Sequence, residues 1–91
     1  MIKNYMEVFV DNTLSEVIKK YKNICKCHYC LEDIKAIALN NLKPIYVSTK
    51  DGDLYTRINE LEFQFKTDIV KELTFAIEIV SKKTRHEANR T

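Results

Sequence analysis

Glycine and proline are almost missing from this chain: one of each occurs in 91 residues. That scarcity excludes a fold built from many short strands and tight turns, and it favours long uninterrupted elements. Tryptophan is absent, and cysteine occurs only three times. An odd cysteine count argues against a disulfide framework. The longest apolar runs are a few residues, far below the ~20 a bilayer-spanning helix needs. Met1 to Phe9 offers no signal-peptide core or cleavage site, so a cytoplasmic location with reduced thiols is expected. Charge of one sign is lacking as well. The 15 basic and 13 acidic side chains nearly cancel, to +2. No concentrated basic stripe marks a nucleic-acid surface, and direct nucleic-acid binding is not expected.

What is present is the composition of an ordinary globular protein, 45% hydrophobic. Residues 1–91 are expected to form a single domain. A domain this small buries a modest fraction of its surface and gains from a metal, a partner or a second copy. Three helical segments stand out. In the first, about Asn4 to Tyr21, Met6, Val10, Leu14, Val17 and Tyr21 recur at steps of three and four, continued by Ile24. Asn4 and Glu7 have the character of an N-terminal cap. The second runs from about Tyr29 to Leu42, with Leu31, Ile34, Ala38 and Leu42 on one face, and Pro44 ends it.

Between the second and last helices the texture changes. Ile45-Tyr46-Val47-Ser48 and Leu54-Tyr55-Thr56-Arg57 have β character. Asp51-Gly52 between them is a turn signal, so a small hairpin is expected. The last helix then runs from about Asn59, as its cap, to Lys82. Phe65, Ile69, Leu73, Ala76 and Val80 form one stripe, and Phe63, Val70 and Ile77 a second. Two stripes exceed a single core-facing side. The expectation is a helix that packs its own domain on one side and a partner on the other. The tail, residues 86–91, is expected to fray unless something anchors it.

Cys25, Cys27 and Cys30 fall within six residues. Three soft donors this close suit zinc, which takes four in a tetrahedron. His28, His86 and Asp33 are the candidates for the fourth. His28 adjoins Cys27, and neighbouring residues rarely reach one ion. His86 is favoured, because ligation there would tie down the tail and close a long loop. The competing readings are three buried small hydrophobes, or a redox pair at Cys27-His28-Tyr29-Cys30. The redox reading wants a strand-to-helix context that this pattern lacks.

One further pattern is more specific than any single motif. Cys25-x-Cys27-x-x-Cys30-x-x-Asp33-Ile34-x-Ala36-x-Ala38-Leu39-Asn40, then Pro44-x-Tyr46-Val47, resembles the signature of the ComFB family. Asn4, Glu7, Tyr55, Ala76 and Val80 fit the same pattern. The resemblance implies a compact, largely helical homodimer. It also implies zinc held by the cysteines and by a fourth cysteine near the C-terminus, where this chain has His86. Family members are linked to late competence, and some are described as receptors for cyclic dinucleotides.

The resulting expectation is a mainly α (α+β) fold: three main helices and a small β-hairpin, stapled by zinc and assembled as a homodimer. The zinc ligands are expected to be Cys25, Cys27, Cys30 and His86. Lys43, Tyr46 and Arg57 are the expected ligand-binding residues, supported by Lys50 and Tyr55. Cations and aromatic faces on one hairpin offer what phosphates and flat bases need. The expected function is that of a non-enzymatic regulatory protein, a cyclic-dinucleotide receptor of the c-di-GMP type linked to competence or motility. The alternative is a ligand-free scaffold with an unidentified protein partner. No nucleophile–base pair or Gly-rich phosphate loop points to an enzyme.

Overall fold

Asn4 starts the first helix as its sequence context predicts. Its backbone is extended, and its side-chain Oδ1 accepts the Met6 N–H at 3.1 Å. In the computed structural model, which describes residues 2–48 and 53–82, helix α1 spans Tyr5–Val17. It then tightens into a 3-10 turn over Ile18–Lys20, and Tyr21 is extended. Such turns commonly close a helix, so α1 ends short of the expected Tyr21. The buried face comprises Met6, Phe9, Val10, Thr13, Leu14 and Val17. Phe9 and Thr13 widen the expected stripe. The Thr13 hydroxyl is buried with no hydrogen-bond partner among the described residues.

Helix α2 spans His28–Asn40 and buries Cys30, Ile34 and Ala38. At its end the Asn41 side-chain amide donates to the Ile37 carbonyl at 2.9 Å. That bond meets one of the carbonyls a helix C-terminus leaves unpaired.

Helix α3 spans Leu54–Lys82, and its start corrects two expectations. Leu54-Tyr55-Thr56-Arg57 is the first turn of the helix, not a strand, and Asn59 lies inside the helix rather than at its cap. Asp53 takes the capping role: its Oδ1 accepts the Thr56 N–H at 3.1 Å, and the Arg57 N–H donates to its carbonyl at 3.2 Å. Ile58, Leu61 and Phe65 then pack against the core at helical spacing. Strand preference is easily overridden by packing, and here the helical spacing prevails. The expected partner strand, Ile45 to Ser48, has no ladder either. Its backbone serves α1 instead. The Ile45 N–H donates to Asn4 Oδ1 at 2.8 Å, and the Ile45 carbonyl accepts the Tyr5 N–H at 2.7 Å. The hairpin is therefore replaced by an extended segment and a helical turn. The expected turn residues, 49–52, lie outside the described residues.

The three helices share one core. Phe9, Val10, Ile34, Ala38, Ile69, Leu73, Ala76 and Ile77 are essentially inaccessible. Asn12 bonds Glu62 at 3.2 Å and Glu16 pairs with Lys66 at 2.8 Å. The equal offset along both helices shows that α1 and α3 run parallel. Asp33, Ala36 and Ile37 face a small cavity together with Ile79 and Val80. The middle of α2 therefore lies beside the end of α3. The segment after α2 returns to Asn4 and Tyr5 at the start of α1, so α2 runs opposite to the other two helices. Lys35 joins α2 to α1 through Asp11 at 3.0 Å. Hydrogen bonding and attraction to Asp11 hold the Lys35 ammonium above its usual pKa.

The second stripe of α3 divides. Ile77 is buried and Val70 half-buried, while Phe63 is 85% exposed. Phe75 and Ile79, outside both stripes, are also exposed. No described helix is long and apolar enough to cross a membrane.

Candidate functional site

The cysteine cluster sits where the chain turns into α2. Cys27 is the N-cap residue of that helix, with an extended backbone, and its Sγ accepts the Cys30 N–H at 3.5 Å. A helix N-terminus presents unpaired N–H groups and the positive end of the dipole, both of which favour a thiolate. The Cys30 N–H, followed by opposing burial and other bonds, holds the Cys27 thiol below its usual pKa. Cys30, one turn into the helix, is 1% exposed. Burial pushes its thiol up to about 12. The sulfurs of Cys25, Cys27 and Cys30 all lie within 4.8 Å of one another, a group that could hold a metal ion. None of the three is in a disulfide.

Among the described residues, neither His28 nor Asp33 adds an atom to this group. The His28 imidazole is 79% exposed and reaches Glu32, at 3.9 Å, one turn along α2. Its ring meets Tyr29 edge-on at 5.9 Å. Asp33 lines the small cavity between α2 and α3. His86, the favoured fourth donor, lies outside the described residues. Val80, near the end of α3, stands beside Asp33, one turn after Cys30. Helix α3 thus ends alongside α2, and His86 follows Lys82 by four positions in sequence.

A second feature is a cleft of about 470 Å3 at the other end of the molecule. One wall is the extended segment from Pro44 to Ser48, held in place by the Asn4–Ile45 bond. The facing wall is α3, which contributes Arg57, Leu61 and Phe65 at successive turns, with Asp53 and Leu54 at its start. Tyr46 and Arg57, two of the three expected ligand residues, meet here. Lys43, the third, is exposed and does not line the cleft, nor does Tyr55. Replacement of the hairpin by a helical turn explains the absence of Tyr55: two positions apart, Tyr55 and Arg57 would share a face on a strand but do not on a helix. Lys50 lies outside the described residues. Sequence reasoning missed Asp53. Its signal was an acceptor side chain directly before Leu54, Ile58, Leu61 and Phe65, which recur at helical steps.

Comparison with known proteins follows the same architecture. The family profile of late competence development protein ComFB matches residues 3–84. The chain belongs to the ComFB family. The competence protein ComFB of Bacillus subtilis (strain 168) is 26% identical over 81 residues, covering 89% of this chain and 83% of that protein. The solved structure of the late competence protein ComFB from Bacillus subtilis superposes with a TM-score of 0.73 at 25% identity. The match covers 92% of each chain. The ComFB relationship therefore spans all three helices, the cysteine turn and the extended segment that walls the cleft.

Proposed function

We propose that this ComFB-family chain is a non-enzymatic, homodimeric regulatory protein of the cytoplasm, linked to competence or motility, that uses zinc as a structural staple and receives a cyclic dinucleotide in the cleft beside α3. The observation that carries the receptor reading is the convergence of Tyr46 and Arg57 on one cleft. The cleft volume lies within the range of small-ligand sites. Tyr46 is 58% exposed and offers an accessible ring face. Arg57 offers a planar fork for phosphate oxygens. Ile45, Leu61 and Phe65 supply an apolar floor.

The staple is supported by the donor chemistry of the cluster. Zinc–sulfur bonds of about 2.3 Å in a tetrahedron put sulfurs about 3.8 Å apart. The spacing of Cys25, Cys27 and Cys30 fits that requirement. A cation beside Cys30 would compensate the burial of its thiolate. His86 is proposed as the fourth ligand. It would fasten the segment after α3 to the start of α2, the helix beside which α3 ends. Zinc here would supply cross-linking.

The dimer is supported by the apolar side chains that α3 leaves uncovered, Phe63 foremost. The same exposed side chains favour the second reading, a ligand-free scaffold for a protein partner. Calorimetry with cyclic di-GMP and cyclic di-AMP separates the two. Saturable heat whose affinity falls markedly in Arg57→Ala is expected. Silence of both ligands at high micromolar concentration, with no thermal shift, overturns the receptor reading and leaves the scaffold.

A further inference from the structure

We propose that Asp53 is the base-selecting residue of the cleft and that it favours guanine over adenine. This rests on the reading of the cleft as a cyclic-dinucleotide site. The cleft is not simply cationic. Among the described residues that line it, Asp53 carries the acceptor-only carboxylate and Arg57 the donor-only guanidinium, both on the α3 side. They stand one helical turn apart, at positions that share a helix face. A ligand that suits both carries N–H donors at one point and an anionic group at another. A guanine nucleotide has that arrangement.

The state of Asp53 supports the assignment. Its Oδ1 accepts the Thr56 N–H and its Oδ2 the Thr56 hydroxyl. Those two bonds orient the carboxylate before any ligand arrives, and they hold it below its usual pKa. It is therefore ionised at neutral pH. A carboxylate has about four acceptor positions. Thr56 takes one on each oxygen and the Tyr55 N–H adds a weaker pull, while the exposed carboxylate stays within reach of a ligand's donors.

The Watson–Crick edge of guanine presents two adjacent donors, N1–H and the N2 amino group, which match two carboxylate oxygens. Adenine presents one amino donor beside the N1 lone pair. That lone pair would face an oxygen that also carries negative charge, and neither could be satisfied. Leaving polar groups unpaired in this way is what gives a hydrogen-bonding site its discrimination. Phosphate is repelled from Asp53 and drawn to Arg57, so the two ends of the ligand are sorted by charge.

The test is calorimetric titration of cyclic di-GMP and cyclic di-AMP into the wild type, Asp53→Asn and Arg57→Ala. Asparagine caps a helix about as well as aspartate, so α3 keeps its start. Unchanged circular dichroism checks that. The wild type is expected to bind the guanine ligand about tenfold tighter or more, the discrimination typical of a bidentate contact to a base. Asp53→Asn is expected to erase or reverse the preference, because an amide can pair with adenine's donor and acceptor together. Arg57→Ala should weaken both ligands alike and keep their ratio. Equal wild-type affinities overturn the inference, as does a preference that survives Asp53→Asn; in both cases the receptor reading stands. Binding of neither ligand overturns the receptor reading, and this inference falls with it.

Discussion

Asn4 and Cys27 are both N-cap residues, and both serve a second purpose through the capping atom. The Asn4 oxygen accepts from Met6 and from Ile45. Asn4→Ala should therefore cost more than an ordinary cap, about 2 kcal/mol, because one cap bond and one half-buried long-range bond are lost together. Urea unfolding monitored by circular dichroism measures this, and a loss indistinguishable from zero would show the bonds to be ornamental. The Cys27 sulfur accepts from Cys30 and belongs to the three-sulfur group. Cys27→Ser keeps a capping oxygen but removes a soft donor. The expected result is loss of zinc from about one ion per chain to near none, with a lowered melting temperature. Metal analysis of purified protein decides, and a metal-free wild type of the same stability would end the staple. Asn4 was legible as a cap from the chain alone, because a cap needs only a short polar side chain before an apolar periodicity, whereas Cys27 was legible as a soft donor and not as a cap. Asn4's bond to Ile45 was not legible. It depends on how the segment after α2 returns to α1, and nothing local encodes that path.

At the scale of elements, the helices were readable where apolar side chains recur at steps of three and four, as in Ile69, Leu73, Ala76 and Val80. The hairpin was misread for a physical reason. Tyr and Thr favour strands only through packing on a pleated surface, and no such surface exists beside Leu54 to Arg57. The helical repeat of Leu54, Ile58, Leu61 and Phe65 outweighs it, with Asp53 as the cap. The cysteine cluster shows the same division. Three cysteines in six residues announce themselves, while the proposed fourth donor, His86, stands far along the chain with no local signal beside it. The helix boundary has a sharp test. Proline is tolerated in the first turn of a helix but costs about 3 kcal/mol in the interior. Asn59→Pro should therefore be strongly destabilising, since residue 59 lies more than a turn inside α3. A nearly neutral result in thermal melts would move the start of the helix back to Asn59.

For the whole molecule, the parallel course of α1 and α3 puts the cleft at one end of the bundle and the cysteines at the other. Each can be altered without touching its counterpart. Phe63 lies on the exposed side of α3, beside a groove shared with Asn12, Ser15 and Glu16 of α1. Phe63→Asp is expected to leave helicity unchanged and to convert a dimer to a monomer in light scattering. A wild type of monomer mass would remove the dimer and return that side of α3 to solvent. The Asn4–Ile45 bond closes a loop that contains the whole of α2. Bringing such distant residues together is entropically expensive. We expect this closure to follow the rate-limiting step, with the three-helix core forming first. The first turn of α1 would then receive its cap late, after α2 has docked. In stopped-flow experiments Asn4→Ala should hardly slow refolding and should speed unfolding instead, giving a φ-value near zero. The oxygen that begins the first helix would be among the last to find its partners.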